Sequence, residues 1–344
     1  MSGPRRPNTP TRQPVVHGPG RPATWLAAGA VLAVLALQLG GCSGLSPQDM
    51  EEPPASGDCA AIRSFNPLGG GLAPVGTDTT LDLASWNLEF FPVRLPGDFE
   101  CPHPNDPARI AKLAELITAL NLDVIAVQEV SEPNGFAELM AMLPGYEGAL
   151  TPEYHGCNYQ RTGVIYRTDI VTLNSFRTLN ELSEFTREPF MADLTVSQSG
   201  KSYHFRLISV HLKAGGEADA PRRRNETNQL HAYLDARAAA EPGVDYIVAG
   251  DWNDVLTDPP ASTSFPAFLA DSQSYTFVTD TLKNSSVMAS LGTRLIDLIL
   301  VNESACPDFS RARVSTLRLD LIVPGYSSLI SDHRPVMVST PVFK

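Results

Sequence analysis

The chain has 344 residues, with 26 Lys and Arg against 38 Asp and Glu, and a formal net charge of −12 at pH 7. That balance excludes a broad cationic surface for nucleic acid, though not a local cleft where a bound divalent ion dominates the field. The length allows one large domain with a sizeable core, and no internal repeat subdivides it.

Residues 1–41 read as a signal peptide outside the fold. Arg5, Arg6, Arg12 and Arg21 precede an apolar run over 23–39 that ends in Leu39-Gly40-Gly41-Cys42, the layout of a secretory leader. The run is at the short edge for crossing a bilayer and closes on small residues, which favours cleavage. Leu-Gly-Gly-Cys resembles the bacterial lipobox. It implies cleavage before Cys42, lipidation of the Cys42 thiol and a lipid-anchored place in the bacterial cell envelope, with Ser43 pointing to the outer membrane. Loss of the leader removes only basic residues, so the remaining chain is more acidic still. Residues 42–78, rich in Pro, Gly, Ser and acidic groups, read as the lipidated Cys followed by a linker and edge segment. Cys59, Cys101, Cys157 and Cys306 remain; in an exported chain they predict two disulfides, with the pairing open.

Residues 79–344 form the expected domain, and its elements follow in order. A strand runs over 81–91. A helix over 106–120 places Ile110, Leu113, Ile117 and Leu120 on one face. A buried strand over 123–130 and a short helix over 135–143 come next. Strands at 161–167, 171–177 and 190–197 are separated by turn residues, and the last pairs with 202–212 across Gln198-Ser199-Gly200-Lys201. A long helix over 221–240 opens on Pro221. Strands over 246–251, 294–302 and 335–342 complete the set. Many strands, few helices and short hairpins predict an α/β four-layer sandwich: two mixed β-sheets packed face to face, with helices outside. Gly69-Gly70-Gly71 and Gly215-Gly216 lack a following helix of the dinucleotide-binding kind and read as loops.

Polar islands interrupt the strand-like stretches, and they carry the chemistry. Glu129 closes a wholly apolar strand, where a carboxylate does not stay buried without a partner. It is either a loop cap or a hard oxygen for Mg²⁺, Mn²⁺ or Ca²⁺. Asn87, after Ser85-Trp86, is a turn residue or an amide that orients a metal-bound group. In an extended Gly250-Asp251-Trp252-Asn253, the Asp and Asn side chains point one way and Trp252 the other, which suits aligning a water with a phosphoryl oxygen. His211 ends the run 205–210 as a packed ring or an acid–base group. Asp297, inside Leu295-Ile296-Asp297-Leu298-Ile299-Leu300, needs a strong partner, and a histidine would serve.

Taken in order, Trp86-Asn87, Gln128-Glu129, His211, Gly250-Asp251-x-Asn253, Asp297 and Ser331-Asp332-His333 resemble the endonuclease/exonuclease/phosphatase superfamily, with its deoxyribonuclease I-like fold. The resemblance runs from about residue 80 to 344. It implies that Glu129 holds a divalent ion, helped by Asn87 and by Asp332 through water. Asp251 and Asn253 would orient the attacking water, Asp297 would hold His333, and His211 would donate to the phosphoryl oxygens. Arg187-Glu188-Pro189 resembles a further motif whose Arg contacts the phosphate, and Tyr159, Arg161 and Asn87 are expected substrate contacts. Whether Asp251 or His333 removes the water proton stays open. In the deoxyribonuclease I-like branch an acidic residue before the strand at 161–167 pairs with the first histidine. Gln160 stands there in this chain, and a neutral amide is expected to orient His211.

Fold alone does not fix substrate. The leading expectation is a non-specific DNA endonuclease acting as a monomer, with Arg187 and Arg222-Arg223-Arg224 tracking phosphates. The alternative is a sphingomyelin or inositol-phosphate phosphodiesterase or phosphatase, for which Phe265, Phe268, Tyr275 and Phe277 are the best candidates for a membrane-inserting segment, the other reading being that they are core.

Overall fold

The computed structural model describes residues 59, 61–93, 105–152, 159–259, 261–288 and 294–343. The leader, Cys42, Cys101 and Cys157 lie outside them.

Two mixed sheets form the fold. The first has the order β1 (Arg63–Ser64), β12 (Arg313–Thr316), β13 (Val336–Thr340), β2 (Leu81–Phe91), β3 (Val124–Val130), β5 (Arg161–Arg167) and β4 (Tyr146–Leu150). The second runs β10 (Tyr275–Phe277), β11 (Asp297–Asn302), β9 (Tyr246–Asp251), β8 (Lys201–His211), β7 (Phe190–Gln198) and β6 (Val171–Thr178). Each sheet is built around a central parallel pair, β2 with β3 and β8 with β9, and short β1 also runs parallel to β12 at the edge of the first. A parallel pair needs a crossover, and helices α1 (Pro107–Leu120) and α3 (Ala220–Ala240) supply the two. Antiparallel strands flank both pairs: β13 and β5 in the first sheet, β11 and β7 in the second.

Strand alternation sorts the side chains into layers. Leu81, Leu83, Val124 and Ala126 of the first sheet pack with Phe205, Leu207, Ile247, Ala249, Ile299 and Val301 of the second as the central core. The opposite face of the first sheet (Ala84, Trp86, Ile125, Val127) packs on Ile110, Leu113, Ile117 and Leu120 of α1, the face expected from their spacing. The outer face of the second sheet (Ile208, Val210, Val248, Leu298) meets Leu230 and Leu234 of α3 and an aromatic group. These layers are the predicted four-layer sandwich.

Local chemistry explains where the helices start. Asp106 caps α1, its carboxylate accepting from the Ala108 and Arg109 amides at 3.0 and 3.2 Å, with Pro107 in the first turn. Helix α2 spans Pro133–Ala141, earlier than expected, because Pro133 suits the first helical position. The β7–β8 hairpin turns on Ser199 and Gly200, both at positive φ (52° and 77°), which matches the twist of the strands it joins. Strand β11 begins at Asp297, later than expected, since Arg294 is engaged by Ser285 and Ser286.

Strands β4, β10 and β12 were not expected. Phe265, Phe268, Tyr275 and Phe277 are buried around Trp252, with ring centroids 5.2–5.9 Å from its own for the three phenylalanines. Of their two readings, core is the one that holds. Cys59 and Cys306 form one disulfide. Among the described residues no helix is long and apolar enough to cross a membrane.

Candidate active site

The registers place the C-terminal ends of β2, β3, β8 and β9 at one rim. The N-terminal ends of β5, β7, β11 and β13 lie at the same rim. Buried polar contacts join the two sheets just beneath it. Gln128 Nε2 donates to Ser209 Oγ at 3.1 Å, and Ser209 Oγ donates to the Val127 carbonyl at 3.1 Å. Gln128 is thus a strut between the sheets.

Above that strut the ladder is broken on purpose-built backbone. The register slips between Asn87 and Phe91 in β2 and between Val127 and Val130 in β3. Glu89, Phe90, Glu129 and, in the second sheet, Asn253 all have positive φ, between 43° and 59°. Such bulges re-aim side chains, and left-handed backbone at non-glycine residues gathers at functional sites.

Five strand ends contribute one continuous chain of polar contacts. Asp297 Oδ2 meets His333 Nδ1 at 2.7 Å, and His333 Nε2 lies 3.8 Å from Asp251 Oδ2. Asp251 Oδ2 accepts from Asn87 Nδ2 at 3.0 Å, and the same amide nitrogen donates to Glu129 Oε1 at 3.0 Å. His211 Nε2 stands 3.6 Å from both Glu129 Oε1 and Asp251 Oδ2, and neither of its ring nitrogens has a hydrogen-bond partner. Asn253 donates its backbone N–H to Asp251 Oδ1 at 2.8 Å and its amide to the Leu212 carbonyl at 3.0 Å. Trp252, between them, is buried in the outer core as expected.

Burial and mutual charge set the protonation states. Burial, then Asp297 and Glu129, push Asp251 up to about 7 against the pull of His333. Burial and Asp332 push Glu89 up to about 7, with Arg109 opposing. Burial also raises Glu129 and Asp332. Burial disfavours a charged His333, but Asp297 and Asp251 outweigh it and hold the imidazole well above its ordinary value. Burial, Arg187 and His333 push His211 well below its own, so it is neutral.

Carboxylates raised by burial and by one another are hard oxygen donors short of positive charge, and that fits a divalent cation. Glu129, His211 and Asp251 bring one ligating atom each within 4.8 Å of one another, as do Asp251, Asp297 and His333. The Asp297–His333 hydrogen bond occupies the second set, so Glu129 of the first is the better anchor for an ion. Glu89 and Asp332 stand beside it, with the Asp332 N–H donating to Glu89 Oε2 at 2.9 Å. Asn87 turns its nitrogen to the two carboxylates and its oxygen to the Glu89 N–H. In this arrangement Asn87 bridges the two carboxylates.

Other expectations change as well. Gln160 does not reach His211: its oxygen accepts from Arg187 Nε at 2.6 Å. Arg187 Nη1 donates to the Leu212 carbonyl at 3.0 Å, which seats the guanidinium between the two segments. The Tyr159 hydroxyl is engaged by Glu188, both at its carboxylate and by its N–H at 3.2 Å, and so braces the Arg187-Glu188 turn. Arg161 is buried and donates to the Ser131 carbonyl. Of the arginine cluster, Arg223 is buried against Asp254 and the Lys213 and Gly215 carbonyls, and Arg224 holds the Thr263 and Ala261 carbonyls. Arg222 reaches the Glu184 carbonyl. Those guanidiniums tie loops down.

Three contributors escaped the sequence reading. Glu89 joins the carboxylate group because of the β2 bulge. Arg109, buried in the first turn of α1, donates to the carbonyls of Val93, Leu88, Glu89 and Ile330 and so fixes the segments carrying Asn87 and His333. Glu226 of α3 does the corresponding work on the other sheet. An uneven polar residue on a predicted helix face was the available signal for both.

The model of the Endonuclease/Exonuclease/phosphatase family matches residues 84–333. A solved endonuclease/exonuclease/phosphatase family protein from Bacteroides thetaiotaomicron superposes with a TM-score of 0.55 at 18% identity, covering 76% of this chain and 98% of that one. The mannosyl-6-phosphatase Bt3783 of the same organism gives 0.53 at 16% identity, covering 76% and 99%. The human Nocturnin catalytic domain gives 0.53 at 15%, covering 76% and 94%. No curated protein matches by sequence. With the motifs in order, the bulged rim and the two-sheet sandwich in agreement, the chain belongs to the endonuclease/exonuclease/phosphatase family of hydrolases.

Proposed function

We propose that this chain hydrolyses phosphodiesters by in-line attack of water on phosphorus, with Mg²⁺ as the physiological ion and Mn²⁺ or Ca²⁺ as substitutes. The observation that carries this is the unbroken contact chain Asp297–His333–Asp251–Asn87–Glu129. Glu129 holds the ion, with Glu89 and Asp332 beside it. A divalent cation bound there supplies neutralisation of the charge that develops on the phosphoryl oxygens. Asp251, with its pKa pushed up to about 7, is the group suited to accept the water proton. Asn253 fixes Asp251 through its N–H. His333, kept as imidazolium by Asp297, donates to a phosphoryl oxygen, and neutral His211 offers a second donor. Arg187 clamps the phosphate with the part of its guanidinium not engaged by Gln160 and Leu212.

We favour a substrate bound chiefly through the reacting phosphate itself over a tract of DNA. Of the arginines expected to follow a backbone, Arg223 is buried against Asp254 and Arg224 holds loop carbonyls, and the Lys213 ammonium pairs with Asp219 at 3.3 Å. The fold-level likeness to a mannosyl-6-phosphatase is in keeping with a small substrate. Location follows as part of the same proposal: an envelope enzyme tethered through Cys42, a setting in which the Cys59–Cys306 disulfide is at home.

The test is a panel of bis-p-nitrophenyl phosphate, sphingomyelin, inositol phosphates, phosphate monoesters, RNA and plasmid DNA, with Mg²⁺ and with EDTA. Mg²⁺-dependent turnover of a small ester, with no steep salt dependence, is expected. DNA degradation that collapses between about 50 and 200 mM salt, the mark of many phosphate contacts, would return the endonuclease reading. No turnover of any ester would end the proposal.

A further inference from the structure

The phosphate-facing half of the rim depends on one buried carboxylate that touches no reacting group. Glu226 lies on α3 and is fully buried. Its Oε1 accepts from the Thr186 N–H at 3.1 Å and from Thr186 Oγ1 at 3.3 Å, and its Oε2 accepts from the Lys213 N–H at 2.7 Å. Thr186 immediately precedes Arg187, and Lys213 follows His211 and Leu212. The intervening Leu212 carbonyl accepts from both Arg187 Nη1 and Asn253 Nδ2 at 3.0 Å. One side chain therefore closes a ring of hydrogen bonds through the entry to β7 and the exit of β8, which Asn253 ties to the exit of β9, each bearing a group of the proposed site.

We propose that Glu226 is a positioning residue that sets Arg187, and through Leu212 also His211 and Asn253, for a phosphoester. The inference rests on the phosphoester reading above. Chemistry explains why a carboxylate is needed here: both oxygens accept from main-chain N–H groups of different segments. A glutamine keeps the shape but has one acceptor, and its amide nitrogen would face an N–H. Burying that unpaired donor separates the segments while leaving the apolar contacts of Leu230 and Leu234 intact. The carboxylate also attracts the Arg187 guanidinium electrostatically, so its removal alters that group's surroundings in two ways.

The experiment is a double-mutant cycle on the full chain, Glu226→Gln against Arg187→Ala, read by kcat/KM on bis-p-nitrophenyl phosphate and by inorganic phosphate binding in calorimetry. Glu226→Gln alone should lower kcat/KM about 10- to 100-fold and weaken phosphate binding, which is the loss of about one to two buried hydrogen bonds to charge. In the Arg187→Ala background it should cost less than about threefold, since coupled residues are non-additive. A merely structural Glu226 would give equal losses in both backgrounds, and that result overturns the proposal, as does full activity in Glu226→Gln. Should Glu226→Gln not fold, Thr186→Val, which removes only the hydroxyl contact, must show a smaller loss with the same dependence on Arg187. Equal Thr186→Val losses in both backgrounds overturn the proposal too. Failure of the wild-type chain either to hydrolyse the ester or to bind phosphate rejects the functional reading itself, and the positioning role with it.

Discussion

Replacing Asp297 by Asn probes the centre of the proposed site. The two side chains are isosteric, and the main-chain contact of residue 297 with Ser286 Oγ at 3.1 Å is untouched, so the fold should stand. What changes is the charge beside His333. The carboxylate oxygen is 2.7 Å from Nδ1, with charge centres about 4 Å apart, which at an effective dielectric near 20 is worth about 4 kcal/mol. Asp251 and Asp332, at 3.8 and 3.9 Å from Nε2, remain in place, so the imidazole's pKa should fall from its raised position without losing the whole of the field that raises it. The sign follows from the role. A protonated His333 is lost as pH rises through its raised pKa, so the alkaline limb of the rate profile should move to lower pH in Asp297→Asn. Loss of one charged donor to the phosphoryl group should lower kcat about 10²- to 10³-fold near pH 8, with KM within about threefold. Steady-state rates on bis-p-nitrophenyl phosphate from pH 5 to 9, with circular dichroism to check folding, measure both. An alkaline limb that stays in place, with kcat near wild type, would refute the imidazolium assignment.

Glu129→Gln should abolish the rise in thermal midpoint that Mg²⁺ gives the wild type, read by differential scanning fluorimetry, and should remove most activity; an unchanged Mg²⁺ shift would move the ion elsewhere. Asp320 is held down to about 2 by the Arg334 and Arg318 guanidiniums, against its partial burial, and Arg334 follows His333 in sequence. A depressed carboxylate stabilises above its unfolded pKa, so this contribution is complete above about pH 4 and fades as pH falls towards 2. Asp320→Asn should therefore cost stability at pH 7, more than the ~1 kcal/mol of an exposed pair and less than the ~3–5 kcal/mol of a fully buried one. The gap from wild type should narrow on acidification in urea melts. Phe268→Ala should cost about 3–5 kcal/mol by opening the aromatic core while leaving binding to lipid vesicles unchanged; loss of vesicle binding at intact stability would restore the membrane-inserting reading.

Much of this was legible because burial leaves a pattern. The runs Val124–Val127 and Tyr246–Ala249 are wholly apolar, and buried central strands read that way. An Asp in the middle of such a run, Asp297, demanded a partner, and the partner is His333. Edge strand β10 has three residues, and β4 is half-buried along its length, so neither carries a clear period. Glu89 could not be assigned because its direction depends on a bulge, and no periodicity encodes a register slip. The arginine cluster misled for a related reason. Asp254, Ser264 and Thr263, which take its charge and hydrogen bonds, lie some tens of residues away, and their approach is a property of the folded loops. Gln160 likewise meets Arg187 rather than His211 only once β5 and β7 have brought their ends together.

The two crossover helices explain why the site sits where it does and why α3 looks so unlike α1. Each helix follows the C-terminal end of a parallel strand, so its first turns lie under the rim. From α1, Arg109 takes carbonyl oxygens from the segments bearing Asn87, Glu89 and His333; from α3, Glu226 takes main-chain N–H groups from the segments bearing Arg187 and His211. A cation therefore binds the carbonyl-rich side and an anion the amide-rich side, each matched to backbone groups that strand bulges and exits leave unpaired. On α1 the apolar stripe continues below the Arg. On α3 the N-terminal half is buried through Arg223, Glu226 and Thr227, with Leu230 and Leu234 as its apolar anchors. That half of α3 has its partners only when the rim is assembled, so its local stability and the geometry of the phosphate-facing groups rise and fall together.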